Sequence, residues 1–122
     1  MLNLNSFLLS SETPQKLVDF YRQVLALDVK WDEGEYKGFE VGACALVIGP
    51  HGQVHGQNQN PERIIFNLET SNVKGEFERI TSLGAKVIAE PYAMDADNPD
   101  FLIATLADPD GNYFQLMSPM KS

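Results

Sequence analysis

Apolar residues recur along the chain with two different spacings, and the order of these spacings occurs twice. In the first half, an apolar run over residues 4–9 precedes Thr13 and Pro14, which suit a helix N-cap and a first helical position. An apolar stripe at helical spacing follows: Leu17, Phe20, Tyr21 and Val24. Three strand-like segments complete this half: Val29–Asp32, Tyr36–Val41 and Ala43–Ile48.

The second half repeats the order of strand, helix and three strands. Residues 63–69 alternate, with one set facing the core (Ile64, Phe66, Leu68) and another facing away (Arg63, Ile65, Asn67, Glu69). Ser71 or Asn72 can cap a second helix, which Gly84 ends. The apolar stripe of this helix comprises Val73, Phe77 and Ile80. The remaining strands are predicted over Lys86–Ala89, Phe101–Leu106 and Asn112–Met117.

The two halves therefore predict one βαβββ unit present twice. A shift of 56 to 58 residues overlays them, placing Leu17 on Val73 and Asn5 on Arg63. We expect a single α+β domain over residues 1–122, with module one at about 3–49, a linker at 50–61 and module two at 62–119. The Gly-rich, polar linker is interpreted as a flexible connection and a candidate lid.

The last predicted strand carries the most specific motif. The sequence Asp108-Pro109-Asp110-Gly111 favours a turn, because Pro presets φ and Gly tolerates positive φ. Beyond it, Phe114 and Leu116 share the core face. Tyr113, Gln115 and Met117 share the other face, with Gln115 at the centre of a candidate binding surface.

This motif closely resembles the Asp-Pro-Asp-Gly-Asn strand of the vicinal oxygen chelate superfamily, which includes glyoxalase I, extradiol dioxygenases, and bleomycin and fosfomycin resistance proteins. The resemblance covers Asn5 to Pro119 and includes the helix at 17–21 leading into 24–27. It implies paired βαβββ modules that form a cupped, partly barrel-like mixed sheet with helices outside. It also implies a homodimer, whose pairing mode stays open.

The same resemblance identifies where a metal would bind in related metalloenzymes. The matching positions are Asn5, Arg63 and Gln115, and the strand that carries a fourth ligand in glyoxalase I offers only Cys44. Arg63 has five donors, no acceptor and a permanent positive charge, so it repels a divalent cation. We therefore expect a degenerate metal site and no metal cofactor.

Other potential metal ligands do not change this expectation. A slip of one residue would bring Ser6 or Ile64 to the ligand positions, and neither restores the site. His51 and His55 lie in the linker and are interpreted as solvated loop histidines.

Strand alternation predicts a ligand pocket instead. The predicted lining comprises Asn5, Phe7, Arg63, Ile65, Asn67, Tyr113, Gln115 and Met117. The faces of four further aromatic residues stay open: Trp31, Phe39, Tyr92 and Phe101. Arg63 either holds the anionic end of a small organic ligand, or is structural and pairs with an acid such as Glu69.

Three functions fit this pattern. The first is a metal-free binding protein that sequesters a small molecule, similar to bleomycin resistance proteins. The second is a lyase or dioxygenase whose metal is held by an atypical set of ligands. The third is a metal-free enzyme that uses Arg63 as an electrophile and Tyr113 as an acid. The sequence does not identify the ligand.

Composition narrows the range of partners. The 122-residue chain has 9 basic and 17 acidic residues and a net charge of −8, which argues against binding to nucleic acid. The N-terminus does not resemble a signal peptide, and no apolar run approaches membrane-spanning length. The single Cys44 fits a reducing compartment, so a cytoplasmic location is expected.

Overall fold

The computed structural model describes residues 1–120 and divides into two compact units, Met1–Gly56 (unit 1) and Gln57–Ser122 (unit 2). Each unit has the order βαβββ, which confirms the predicted repeat and the α+β class. Unit 1 contains β1 (Ser6–Ser10), α1 (Pro14–Leu25), β2 (Trp31–Glu33), β3 (Tyr36–Val41) and β4 (Cys44–Gly49). Unit 2 contains β5 (Phe66–Glu69), α2 (Val73–Ser82), β6 (Lys86–Ala93), β7 (Leu102–Ala107) and β8 (Tyr113–Met117).

The sheet of unit 1 is open and mixed, in the order β1-β4-β3-β2. Strand β1 runs parallel to β4, whereas β2, β3 and β4 are antiparallel neighbours. Phe39, Leu46 and Ile48 are buried in this sheet. The helix α1 contributes its own buried stripe, Leu17, Val18, Tyr21 and Val24, and contacts β4. Hydrophobic burial of these two apolar faces therefore accounts for the core of unit 1.

The sheet of unit 2 has the same connectivity, in the order β5-β8-β7-β6 with β5 parallel to β8. Phe114 and Leu116 are buried, as predicted, and pair with Phe66 and Leu68 of β5. The Phe66 and Phe114 rings stack with centroids 6.0 Å apart. In both sheets, every second residue of a central strand is apolar and faces the core. The residues between them face the opposite side of the sheet, which is available for a site.

The two helix starts use different caps. Asn72 accepts a hydrogen bond from the Gly75 backbone at 3.0 Å, which satisfies a donor that the first turn of α2 leaves free. Thr13 occupies the N-cap position of α1, as expected, but within the described chain its side chain makes no capping bond. Ser11, which is fully buried, instead accepts from the Thr13 backbone at 2.9 Å.

The first strand of the second module begins three residues later than predicted. Strand β5 begins at Phe66, whereas Arg63 lies in a turn in which its N–H donates to the Asn60 carbonyl at 3.1 Å. Ile64 is 77% exposed and is not part of the core. The physical reason is pairing: β8 supplies partners for Phe66–Glu69 alone, so the alternating pattern before Phe66 has no ladder to join.

Both predicted loops are irregular in the structure. Residues 94–100 form an exposed, irregular segment, as expected. Within the predicted linker, His55 pairs with Glu12 in unit 1 at 2.8 Å. Residue 58 is held within unit 2, because its N–H donates to the Asp110 carbonyl at 2.8 Å. The linker is therefore anchored by hydrogen bonds within each unit.

Among residues 1–120, no helix has the length and apolarity needed to cross a membrane.

Candidate functional site

A cleft of about 440 Å³ lies on one face of the unit 1 sheet. Its volume is within the range of small-molecule sites. The lining residues are Asn5, Ser6, Trp31, Glu33, Tyr36, Gly38, Ala45 and Val47. The strand registers explain this set, because Ser6 pairs with Ala45, Val47 with Gly38, and Gly38 with Trp31. Paired residues share a sheet face, so these side chains lie opposite the face of Leu46 and Ile48.

Two aromatic side chains of the cleft lie directly against glycines. A Cβ atom added to Gly38 would stand 2.9 Å from Cε3 of Trp31, and one added to Gly49 would stand 2.1 Å from Cδ1 of Tyr36. Each ring thus occupies space that any other residue would fill. The Tyr36 hydroxyl also donates to the Pro50 carbonyl at 2.9 Å. These contacts position both rings while leaving Trp31 42% and Tyr36 40% exposed.

Among the described residues, the lysines around the cleft have ion-pair partners, but one carboxylate does not. Lys30 forms an ion pair with Glu40, and its Nζ lies 5.2 Å from the centroid of the Trp31 ring. Lys37 pairs with Asp32 at 2.6 Å. Glu33 lines the cleft and is exposed, and it forms no ion pair with any residue in 1–120. The cleft therefore carries an uncompensated carboxylate beside its aromatic side chains.

Of the predicted pocket residues in unit 1, the structure places Asn5 in the cleft and Phe7 outside it. Phe7 pairs with Leu46, which in turn pairs with the fully buried Phe39, so Phe7 belongs to the core face. The expectation that Asn5 and Phe7 share a face is wrong, because β1 begins at Ser6 and regular alternation does not extend back to Asn5. Ser6 donates to the Asn5 side chain at 3.1 Å.

The predicted pocket residues of unit 2 lie mainly on β5 and β8. Asn67 pairs with Gln115, and Tyr113 and Met117 flank Gln115 at the same strand parity. Gln115 donates to the hydroxyl of Thr105, a β7 residue that is buried. The structure thus brings Asn67, Gln115 and Thr105 together on one face, as strand alternation predicts for the first two.

Arg63 and Ile65 precede that strand. Arg63 is exposed, and it forms no ion pair among residues 1–120. The structural interpretation, in which an acid such as Glu69 neutralises a buried Arg63, is therefore wrong. Ile65 is half-buried and lies directly before β5.

The turn before β8 is organised by the buried carboxylate of Asp108. This group accepts hydrogen bonds from the backbone N–H groups of Asp110 and Asn112 at 2.9 and 3.0 Å, and from the Asn112 amide. Gly111 adopts a φ of 81°, the left-handed region that favours glycine. The conspicuous acid of the motif is thus engaged in holding the turn.

The aromatic residues whose faces the sequence left open take different positions. Trp31 lines the cleft and Phe39 is fully buried in unit 1. Tyr92 pairs with Ile103 and is 45% exposed, and Phe101 is half-buried just before β7. Sequence reasoning missed Glu33, Tyr36 and Gly38 as lining residues. The available signal was that Tyr36 and Gly38 lie two residues apart in the predicted strand Tyr36–Val41, directly after the predicted strand that carries Trp31.

The potential metal ligands of the described residues lie apart from one another. Among residues 1–120, no three His, Cys, Asp or Glu side chains are placed to share an ion. His55 pairs with Glu12, and Nδ1 of His51 accepts from the Gln53 backbone at 3.1 Å. Neither imidazole is grouped with the thiol of Cys44 as a potential pair of ligands. This half-buried thiol lies 3.7 Å from the Ala45 carbonyl oxygen. A structural or catalytic metal site requires three or four converging ligands.

Comparison with known families decides the relationship. The family model described as "Glyoxalase-like domain" matches residues 6–117. The chain belongs to this family. Membership of the glyoxalase-like domain family places it in the vicinal oxygen chelate superfamily, as its turn motif indicated. No curated protein sequence matches it significantly.

Solved structures share the fold at low sequence identity. A glyoxalase/bleomycin resistance protein/dioxygenase family enzyme from Burkholderia phytofirmans PsJN is 16% identical with a TM-score of 0.77, covering 98% of this chain and 100% of that one. The fosfomycin resistance protein FosX from Listeria monocytogenes is 16% identical with a TM-score of 0.68, covering 98% and 93%. Lactoylglutathione lyase from Agrobacterium tumefaciens is 18% identical with a TM-score of 0.72, covering 95% and 92%. At these identities the likeness establishes the fold.

Proposed function

We propose that this glyoxalase-like domain is a metal-independent small-molecule-binding protein of the sequestering, resistance type. The observation that carries the proposal is the unit 1 cleft, which has the volume of a ligand site and a mixed lining of aromatic, apolar and polar groups. The donor set supports metal independence, because within residues 1–120 no three potential ligands converge. The name of FosX, a resistance protein of similar fold, is compatible with this proposal.

Arg63 extends the proposal to unit 2. Its guanidinium is exposed and has no carboxylate partner within the described chain, so it is available to an anionic group of a ligand. Asn67 and Gln115 supply amide groups on the β5–β8 face, with Tyr113 and Met117 beside them. We assign this set to binding rather than catalysis.

The decisive experiment is a thermal-shift screen of a small-molecule library, performed with and without EDTA, beside elemental analysis of the dialysed protein. We expect stabilising compounds whose effect EDTA leaves unchanged, and less than stoichiometric Ni, Zn, Mn or Fe. Compounds that stabilise the protein only after a divalent metal is added would overturn the proposal. Conversion of a stabilising compound into a product would instead favour the metal-free enzyme.

The proposal includes a cytoplasmic homodimer. Each sheet ends in two edge strands, β1 and β2 in unit 1 and β5 and β6 in unit 2, and unpaired edges favour association between chains. The free thiol of Cys44 is compatible with a reducing compartment. Light scattering at micromolar concentration should give twice the 13.6 kDa mass of the chain. A mass of one chain would contradict the dimer.

A further inference from the structure

The floor of the unit 1 cleft is built from small residues, so the aromatic side chains at its sides determine what it can hold. Gly38 has no side chain, Ala45 has a single methyl group, and Val47 adds a short apolar group. Trp31 and Tyr36 stand above this floor and are held against Gly38 and Gly49. An aromatic ring with an open face attracts cations through its quadrupole, and Trp does so most strongly.

Two observations bear on the charge of a ligand that would fit this cleft. First, the Trp31 ring already makes a cation–π contact with the Nζ of Lys30 at 5.2 Å from its centroid, and the charge of Lys30 is itself compensated by Glu40. Second, Glu33 lines the cleft with its carboxylate unpaired within residues 1–120. No Lys or Arg is among the lining residues that the structure describes. The local charge is therefore complementary to a positively charged ligand.

We propose that the unit 1 cleft binds a small organic cation, such as a quaternary ammonium compound with an attached ring, with its positive charge beside Glu33 and its apolar part against Trp31 and Tyr36. Weakly hydrated organic cations suit this lining better than Lys-like ammonium groups, because they lose less hydration on entering an aromatic site. This inference deepens the proposed function, on which it rests, by naming the ligand class of the cleft.

The chain provides a specific signal for the test, because Trp31 is its single tryptophan. Three probes of similar size carry different charges: benzyltrimethylammonium, benzyl alcohol and phenylacetate. Each probe is titrated into the purified full chain in its native oligomeric state. Binding is measured by the fluorescence emission of Trp31 and by isothermal titration calorimetry. We expect a saturable response to benzyltrimethylammonium, with affinity about tenfold higher than for either other probe.

Two matched variants separate a specific carboxylate from the negative charge of the whole protein. Glu33→Gln and Glu35→Gln each remove one charge, and Glu35 is exposed but is not among the residues lining the cleft. Glu33→Gln should weaken benzyltrimethylammonium binding about fivefold and leave benzyl alcohol binding unchanged. Glu35→Gln should leave both unchanged. Equal weakening by the two variants would overturn the inference.

A third variant tests the aromatic side chain. Tyr36→Leu keeps an apolar side chain but removes the ring and the hydroxyl that binds the Pro50 carbonyl. We expect weaker binding of the cation with a normal unfolding transition, and Tyr36→Phe should retain most of the affinity. If Tyr36→Leu bound the cation with unchanged affinity, the Tyr36 ring would not be part of the binding site.

The failure of this inference differs from the failure of the proposed function. Tighter binding of phenylacetate or benzyl alcohol than of the cation, measured by Trp31 emission so that binding at Arg63 does not count, would defeat the cation class while leaving a metal-independent binding protein. Absence of any saturable response to the cation defeats the inference equally. An EDTA-resistant hit in the library screen would still support the proposed function in either case.

Discussion

Gln115 donates its side-chain amide to Thr105 across the β7–β8 ladder, with 3.0 Å between Nε2 and Oγ1. Gln115 occupies the position that the superfamily resemblance assigns to a metal ligand. The nitrogen end of its amide is instead engaged in ordering the sheet face. Thr105 is 6% exposed, so its hydroxyl depends on this neighbour for a hydrogen bond.

Restoring a carboxylate at this position should not create a metal site. In Gln115→Glu the Thr105 hydroxyl can donate to the new carboxylate, because a hydroxyl serves as donor or acceptor. The other positions that the resemblance assigns to metal ligands, Asn5 and Arg63, would still offer no carboxylate or imidazole. Calorimetry with Zn²⁺ and Ni²⁺ should show no tight binding by the variant or the parent. One tightly bound ion per variant chain would show that the donor set is misread.

Removing the carboxylate of Asp108 should destabilise the protein strongly. This carboxylate is buried and accepts hydrogen bonds from Asp110 and Asn112. We expect Asp108→Ala to lower the free energy of unfolding by about 3 kcal/mol or more, since several bonds to a charged acceptor are lost together.

The control for this variant is Asp110→Ala, in the same turn. The backbone groups of residue 110 make its hydrogen bonds to Asp108 and Asn58, and these remain in the variant. Its unfolding free energy should change by about 0.5 kcal/mol or less. Urea unfolding curves with equal midpoints for the two variants would refute the role given to Asp108.

Replacing the N-cap residue by alanine should lower the free energy of unfolding more at helix α2 than at helix α1. Asn72→Ala removes the acceptor for the Gly75 N–H and should cost about 1 kcal/mol. Thr13→Ala removes a side chain that makes no capping bond within the described chain, and should cost less than about 0.5 kcal/mol. Chemical denaturation measures both. A larger loss from Thr13→Ala would contradict the assigned caps.

Neutralising Arg63 should affect binding more than stability. Because the side chain is exposed and lacks an ion pair within residues 1–120, Arg63→Gln should change the unfolding free energy by about 0.5 kcal/mol or less. If the guanidinium holds an anion, binding of phenylphosphate should weaken by about 1.5–3 kcal/mol.

Lys74→Gln provides the matched control for Arg63→Gln, because it removes one exposed positive charge from helix α2 of the same unit. It should leave phenylphosphate binding and unfolding unchanged. Severe destabilisation by Arg63→Gln, with no anion-dependent shift in the parent protein, would defeat the binding role.

Local patterns predict the helices and strands of this protein well, because apolar residues in each half recur clearly with the helical spacing and with the strand spacing. The strand Tyr36–Val41 is found with its predicted bounds, and Asn72 caps α2 as one of two predicted choices. The errors arise where a distant partner decides the outcome. Arg63 and Ile64 continue an alternating pattern, yet β5 begins only where β8 provides a partner.

The candidate site was predictable in part for the same reason. The shared face of Asn67 and Gln115 follows from alternation within two strands, and the β5–β8 register confirms it. The cleft of Trp31 and Tyr36 depends on register between strands and on glycines beneath the rings, neither of which alternation along one strand reveals. Phe7 shows a different kind of error. Its strand alternates as expected, but counting the alternation from Asn5 instead of Ser6 assigns Phe7 to the wrong face of the sheet.

The contact of Tyr36 with Gly49 constrains how such a cleft can change in evolution. A methyl group at Gly49 would lie 2.1 Å from the tyrosine ring, so position 49 cannot be enlarged while this ring keeps its place. A lineage that acquires a larger residue at position 49 must first reduce or reorient the aromatic side chain at 36, and with it lose one side of the cleft. A larger residue at position 49 should therefore be found only together with a smaller or reoriented residue at position 36, whereas position 36 can change while Gly49 is kept.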